Sequence, residues 1–126
     1  MLAHCDVIAF IATAHTEEAR VFYSEVLGLR LLEDTSFALV FDANGTMPRI
    51  QKVEMLTTAG YTVLGWQVGD IHEAVEKLRT RGIPFDRYPG LPQDEHGIWT
   101  TAQGHKIAWF SDPDGNTLSL TEIRRG

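Results

Sequence analysis

The side chains with the greatest capacity for chemistry lie close together between residues 94 and 105. Asp94, Glu95 and His96 are consecutive, and His105 follows nine residues after His96. Carboxylate oxygens and imidazole nitrogens are common ligands of divalent metals, so these four side chains could form an unconventional metal site if the segment folds inward. The alternative, which we favour, is that they are solvated charges of a surface loop.

Five other reactive side chains have structural explanations. His15 and His72 stand at predicted helix starts, where capping and exposure to solvent are the ordinary roles. Asp112 and Asp114 belong to an Asp-Pro-Asp-Gly-Asn sequence, in which Pro and Gly favour a tight turn and the carboxylates can bond to backbone N–H groups. Cys5 is the single cysteine, so it cannot form an intrachain disulfide, and a small buried or terminal thiol is its expected role.

The charge balance argues against several classes of partner. The 126 residues include 11 basic and 17 acidic side chains, which gives a net charge of −6. Because no basic stripe is present, we expect no nucleic-acid partner. The apolar run at 7–14 is too short to span a membrane and lacks the preceding positive charge of a signal peptide. We therefore expect a buried strand there, no membrane partner and a cytoplasmic location.

Hydrophobic periodicity predicts the same order of elements twice. In the first half, a strand at 7–14 precedes a helix that ends at Gly28, and three further strands follow at 29–33, 37–42 and 48–54. In the second half, a strand at 61–68 precedes a helix that begins after Asp70. The strands predicted after that helix lie at 85–88, 98–103, 106–111 and 117–123.

The repeat predicts how the chain is organised. A repeat unit this short cannot bury its own apolar face, so we expect the modules 1–57 and 58–126 to form a single domain of residues 1–126. Strands outnumber helices, which indicates an α+β fold. The Pro- and Gly-rich segment 88–97 is a predicted surface loop that could act as a lid.

Two motifs in this order of elements resemble the vicinal oxygen chelate superfamily, which includes glyoxalase I, extradiol dioxygenases and bleomycin-resistance proteins. The motifs are Phe22-Tyr23 followed by Leu27-Gly28, and Phe110-Ser111-Asp112-Pro113-Asp114-Gly115-Asn116. The resemblance covers essentially the whole chain. It implies two βαβββ modules that form curved mixed sheets with the helices on the outer face, and it implies a homodimer.

The resemblance also implies where a metal would be held. The family's ligand positions fall on Ile8, Val63 and Ser119. Two of these side chains are aliphatic and the third is a neutral hydroxyl, whereas divalent metals need several imidazole or carboxylate donors. We therefore predict that the ancestral metal site is absent and that the protein uses no cofactor.

Strand alternation indicates which residues line the cavity of each sheet, because residues two apart share a face. The resemblance places Trp109 in the pocket, since an active-site Tyr of extradiol dioxygenases has the same spacing from the last-strand ligand. A purely structural role for this indole is the alternative. No catalytic residue can be nominated. The candidate ligand-binding residues are Phe10, Gln67, Trp99, Trp109, Ser119 and Thr121.

These residues favour binding over bond-making. We predict a metal-independent protein of the glyoxalase/bleomycin-resistance type that sequesters an aromatic or amphipathic small molecule. The alternative is a lyase, isomerase or dioxygenase-like enzyme with an unconventional metal site that includes Glu95, His96 or His105, or with no metal. If the protein is an enzyme, a glyoxalase-like lyase or isomerase is expected.

Overall fold

Each half of the chain, within the described residues 1–125 of a computed structural model, contains a four-stranded mixed sheet. The chain forms two compact units, Met1–Thr57 and Thr58–Gly126. The strands of the first unit are β1 (Ile8–Thr13), β2 (Arg30–Asp34), β3 (Ala38–Asp42) and β4 (Met47–Lys52). Between β1 and β2, helix α1 (Thr16–Val21) continues directly into a π-helical turn, Phe22–Val26.

The first sheet has the strand order β1-β4-β3-β2, in which β1 and β4 are parallel and the other neighbours antiparallel. Its core contains Tyr23, Leu39, Phe41 and Ile50, all fully buried. The ring of Tyr23 lies 5.9 Å from that of Phe41, so the π-helical turn packs on the apolar face of the sheet. Gly28 follows with φ +78°, a conformation that favours glycine, and leads the chain into β2.

The second unit repeats the arrangement. Its elements are β5 (Thr62–Gln67), α2 (Ile71–Thr80), β6 (Trp99–Thr100), β7 (Lys106–Ser111) and β8 (Thr117–Glu122). The strand order is β5-β8-β7-β6, with β5 and β8 parallel. Helix α2 contacts β7 and β8, and its apolar stripe buries Ile71 and Val75 against the same face of the sheet as Leu118.

The predicted α+β fold class is confirmed, because residues 1–125 form two mixed sheets with two helices. The single-domain assignment of residues 1–126 stays a prediction. Within residues 1–125, no helix combines the length and the apolar character needed to cross a lipid bilayer.

One predicted strand is wrong. Residues 85–88 form no strand, although the backbone N–H of Asp86 donates to the carbonyl of Trp109 on β7 at 2.8 Å. The neighbouring backbone groups bind the side-chain amide of Gln93, which accepts from the N–H of Tyr88 and donates to the carbonyl of Asp86. Because one side chain takes the place of a neighbouring strand, no regular ladder extends along this segment.

A second predicted strand, at 98–103, is shorter than expected. Only Trp99 and Thr100 pair with β7 as β6. The chain then turns, since the N–H of Thr101 donates to the carbonyl of His105 and the N–H of Gly104 donates to the carbonyl of Thr101. This turn consumes the backbone groups that a longer strand would need.

The two helix starts differ in their capping. Asp70 caps α2 as its sequence predicts, because its carboxylate accepts from the N–H of Glu73 at 3.2 Å. A second carboxylate, that of Glu122 on β8, accepts from the N–H of Ile71 at 3.0 Å. At α1, by contrast, the side chain of His15 makes no capping hydrogen bond, and its backbone N–H donates to the hydroxyl of Thr13.

The Asp-Pro-Asp-Gly-Asn sequence forms the predicted turn between β7 and β8. The buried carboxylate of Asp112 accepts from the backbone N–H groups of Asp114 and Asn116, each at 2.9 Å, and from the Asn116 side chain. Gly115 has φ +85°. These bonds give Asp112 a structural role.

Candidate functional site

The second sheet has one face covered by α2 and one face that carries the predicted site residues. Leu118 and Phe110 lie on the α2 side and are fully buried. Because alternate residues point to opposite faces, Thr117, Ser119 and Trp109 lie on the other side of the sheet. We call this second side the open face; Thr121, at the next alternate position of β8, and its β5 partner Gln67 also belong to it.

Three aromatic rings cluster on the open face. The ring of Trp109 lies 5.3 Å from that of Tyr88 at an interplanar angle of 89°, and 6.2 Å from that of Trp99 at an angle of 23°. The third tryptophan, Trp66, lies on the α2 side and stacks on Phe110 at 6.5 Å. The open face therefore presents two of the three indoles, with a phenol ring perpendicular to one of them.

A cavity of about 250 Å³ lies beside these rings. Its lining is formed by aromatic, hydroxyl and aliphatic groups from the start of β5, the loop after α2, β7 and β8. The lining residues are Gly60, Tyr61, Thr62, Tyr88, Leu91, Trp109 and Thr117. None of these side chains is charged at neutral pH.

Gly65 leaves room for the side chain of Ser119 on the open face. Ser119 is opposite Gly65 on β5 and opposite Trp109 on β7, and it is only 7% exposed. A Cβ atom at Gly65 would lie 2.6 Å from the Ser119 hydroxyl oxygen and 3.3 Å from its carbonyl oxygen. Any larger residue at position 65 would therefore collide with Ser119.

A β-bulge in β5 changes which residue faces the cavity. Thr62 pairs with Thr117 and Leu64 pairs with Leu118, so Val63 is the extra residue between two regular pairs. Simple alternation predicts that Val63 points into the cavity, but Thr62 lines it instead. The cavity thereby gains a hydroxyl in place of an aliphatic group.

The loop that carries Tyr88 is held by the side chain of Gln93. Its Oε1 accepts from the N–H of Tyr88 at 2.7 Å, and its Nε2 donates to the carbonyls of Asp86 and Gly97, both at 2.9 Å. The Asp94 carboxylate fixes the next residues by accepting from the N–H groups of His96 and Ile98. The loop is thus hydrogen-bonded internally, and its role as a lid stays a prediction.

The Asp86 carboxylate acts electrostatically on this aromatic cluster. Burial raises the pKa of Asp86, and a hydrogen bond with the Ser111 side chain partly opposes that effect. Burial also raises the pKa of the Tyr88 phenol, with a further contribution from the negative charge of Asp86. Tyr88 therefore remains a neutral hydroxyl across the physiological range.

The residues at the family's metal-ligand positions do not fit a divalent metal. Ile8 and Val63 offer no donor atom, and the Ser119 hydroxyl alone is a weak one. Among residues 1–125, no three His, Cys, Asp or Glu side chains come together in a group that could hold a metal.

The loop residues considered for an unconventional site have other neighbours. The ring of His96 lies 6.3 Å from that of His72 on α2, and its Nε2 is 3.5 Å from Glu95. His105 instead accepts a hydrogen bond from the backbone N–H of Arg124 at 3.0 Å. The structure therefore gives His96 and His105 separate partners.

The predicted site residues occupy different surroundings. Trp109 lines the cavity, the ring of Trp99 stacks on the ring of Trp109, and Ser119 lies opposite Trp109 in the sheet. Gln67 and Thr121 pair with each other further along the open face. Their roles in binding stay predictions.

Phe10 belongs to the first unit, where its side chain is 56% exposed on β1. The cavity also contains residues that sequence reasoning did not propose, chiefly Tyr61, Tyr88 and Leu91. The signal of Tyr88 and Leu91 in the sequence is weak, because loop residues follow no strand or helix period, whereas Tyr61 lies two residues before Val63 in the predicted strand and alternation could have found it.

Comparison with known proteins identifies relatives of the same fold. TnmS3, an antibiotic binding protein from Streptomyces sp. CB03234, is 21% identical, with 98% of this chain and 99% of that chain covered and a TM-score of 0.73. A superfamily member from Sphaerobacter thermophilus DSM 20745 is 24% identical, with 98% and 100% covered and a TM-score of 0.75. Lactoylglutathione lyase from Agrobacterium tumefaciens is 14% identical, with 94% and 93% covered and a TM-score of 0.73. At these identities the likeness concerns the fold alone.

No curated protein matches the chain in sequence. Residues 2–120, nearly the whole chain, match the family model described as the Glyoxalase/Bleomycin resistance protein/Dioxygenase superfamily. This match agrees with the two mixed sheets and with the motifs in the sequence. The chain therefore belongs to the glyoxalase/bleomycin resistance protein/dioxygenase superfamily.

Proposed function

We propose that this protein binds and sequesters an aromatic or amphipathic small molecule on the open face of its second sheet, without a metal. The observation that carries the proposal is the uncharged cavity of about 250 Å³ beside the rings of Tyr88 and Trp109. Aromatic walls with a few hydroxyl groups are typical of small-molecule sites, in which apolar area supplies affinity and polar groups fix orientation.

The size of the cavity limits what it can hold. Drug-sized ligands usually occupy cavities of about 300–1,000 Å³, so a cavity of about 250 Å³ accommodates one ring system of such a ligand. The remainder would extend along the open face past Trp99 towards Thr121 and Gln67. The antibiotic binding protein TnmS3, which has the same fold, is a precedent for binding without a stated reaction.

Tryptophan fluorescence tests the proposal directly. Trp66→Phe removes the indole on the α2 side, so the remaining emission comes from the two open-face indoles, Trp99 and Trp109. In this background, a panel of one- and two-ring aromatic compounds of different charge is expected to include compounds that change the emission saturably. Adding Trp109→Ala should abolish the response. A response that survives without Trp109, or no saturable response to any compound, would contradict the proposal.

One observation, made on Asp86, favours the enzymatic alternative. A lyase or isomerase needs a positioned base, and Asp86, whose backbone N–H donates to the carbonyl of Trp109 and whose pKa is raised by burial, is a candidate. Stoichiometric divalent metal in protein purified without chelators, or turnover that depends on added metal, would favour the enzyme and defeat the metal-independent proposal.

We also propose a cytoplasmic homodimer that binds neither nucleic acid nor membrane. On β1, Ile8 and Phe10 are 47% and 56% exposed, and a second copy of the chain could cover them. Size-exclusion chromatography with light scattering should give a mass near twice 14.1 kDa. A monodisperse monomer would contradict this assembly.

A further inference from the structure

The rings of Tyr88 and Trp109 form an aromatic corner. Their planes meet at 89° and their centres are 5.3 Å apart, so a group in the adjoining cavity can contact the two rings from different directions. Tyr61 adds a third aromatic side chain to the cavity lining. Several rings around one small space are the arrangement that recognises alkylated ammonium groups, because each ring face carries negative electrostatic potential.

No basic side chain lines the cavity at the corner, and the guanidinium of Arg87, which lies between Asp86 and Tyr88 in the chain, donates to the carbonyl of Glu95. The cavity lining contains no Lys or Arg side chain, so nothing in it would repel a cation or pair with an anion. The backbone of Asp86 is held next to Trp109, because its N–H donates to the Trp109 carbonyl at 2.8 Å, and the negative charge of Asp86 acts on the Tyr88 phenol. The whole chain carries a net charge of −6, which adds a weaker attraction for cations at longer range.

We propose that the ligand of this site is an organic cation whose ammonium group lies in the corner formed by Tyr88 and Trp109, with Asp86 as its nearby counter-charge. The inference rests on the proposed function and deepens it, since it specifies the chemical class of the ligand. The hydroxyls of Thr62 and Thr117 remain available to hydrogen-bond a polar substituent of the same ligand.

Anionic and neutral ligands would interact with the site differently from a cation. An anionic aromatic ligand would need a cationic partner, which the lining lacks. A neutral aromatic ligand would gain apolar burial but no attraction between a charge and the ring faces. Such an attraction, together with the Asp86 charge, is expected to favour a cation over a neutral molecule of the same shape by about tenfold.

A pair of probes of equal shape separates these cases. In 3-hydroxyphenyltrimethylammonium and 3-tert-butylphenol, a positively charged nitrogen in the first replaces a carbon in the second. Each is titrated into the intact Trp66→Phe protein, with excitation at the red edge of the indole band. We expect the cation to bind about tenfold more tightly.

Three results of this titration would contradict the inference. Equal affinities, or tighter binding of 3-tert-butylphenol, would overturn the cation inference and leave the proposed function standing. Absence of binding by both probes at millimolar concentration would overturn both. A preference for the cation that persists after Trp109→Ala would overturn the assignment to this corner.

Substitutions identify the source of the preference. Asp86→Asn should lower the ratio of the two affinities several-fold, whereas Glu54→Gln, which removes an exposed charge in the first unit, should leave the ratio unchanged. Tyr88→Leu removes a ring and should also lower the ratio, and Tyr88→Phe should retain it because the ring remains. Equal ratios in Asp86→Asn and Glu54→Gln would show that Asp86 is not the counter-charge.

Discussion

Replacing Gln93 tests whether one side-chain amide holds the loop that carries Tyr88. The amide makes three hydrogen bonds to backbone groups, at 2.7, 2.9 and 2.9 Å. A hydrogen bond contributes about 0.5–1.5 kcal/mol net. Because Tyr88 is 39% exposed, water would satisfy part of what is lost. We therefore expect Gln93→Ala to lower the free energy of unfolding by about 2 kcal/mol, near the lower end of the sum.

Gln93→Glu makes the test more specific. The carboxylate can still accept from the N–H of Tyr88, but it can no longer donate to the carbonyls of Asp86 and Gly97 and would repel both. It should be at least as destabilising as Gln93→Ala, although it preserves the size of the side chain. The matched control is Gln103→Ala, at an exposed position of the turn before β7, which should change stability by less than about 0.5 kcal/mol.

Urea unfolding followed by circular dichroism measures all three variants. The loop should also lose rigidity, so affinity for an aromatic probe in the cavity should fall with stability for both Gln93 variants. If Gln93→Ala and Gln103→Ala were equally stable, the amide would not be what holds the loop in place. If Gln93→Glu were as stable as the parent protein, the two hydrogen bonds that the amide donates would contribute nothing to stability.

Three further substitutions probe the elements around the site. Gly65→Ala should cost about 1–3 kcal/mol in thermal unfolding, because the new Cβ would lie 2.6 Å from the Ser119 hydroxyl oxygen; unchanged stability would refute that contact. Asp70→Ala should cost about 1 kcal/mol through loss of the α2 cap, and a neutral result would contradict capping. Burial raises the pKa of Asp94, but two backbone N–H donors outweigh it and hold the pKa below its usual value. The resulting stabilisation is complete above the unfolded pKa of about 3.9 and is lost as pH falls through the folded pKa. In Asp94→Asn, the free energy of unfolding should therefore depend less on pH below about pH 5. An unchanged acid profile would refute this.

The parts of the fold that depend on local sequence could be predicted. The apolar stripe of α2 with Asp70 before it identifies a helix and its start, because the capping geometry needs residues only three apart. The turn that begins at Asp112 is equally local. The strands β7 and β8 on either side of it follow from alternation and turn chemistry.

The parts of the fold that depend on competition between groups distant in sequence could not be predicted. The segment 85–88 has the composition of a strand, but the Gln93 amide occupies its backbone groups. The bulge at Val63 is likewise invisible to a pattern of period two, and it changes which side chain faces the cavity. For the same reason Tyr88 and Leu91 could not be assigned to the cavity, since their position depends on how the loop folds back.

The two sheets carry different side chains at corresponding positions. The same three positions form a row across each sheet: Phe10, Arg49 and Val40 in the first, and Gly65, Ser119 and Trp109 in the second. In the first row the large side chains occupy the β1 and β4 positions.

In the second row the β5 position is Gly65, which has no side chain, and the β8 position carries the small hydroxyl of Ser119. The large side chain of this row is the indole of Trp109 on β7. Within this row the indole of Trp109 lines the cavity, and the Ser119 hydroxyl occupies the space beside Gly65. Strand order is the same in both sheets, so the order of strands alone does not create the site. In the second sheet the indole of Trp109 supplies the aromatic wall of the cavity, and the bulge at Val63 adds the hydroxyl of Thr62 to its lining.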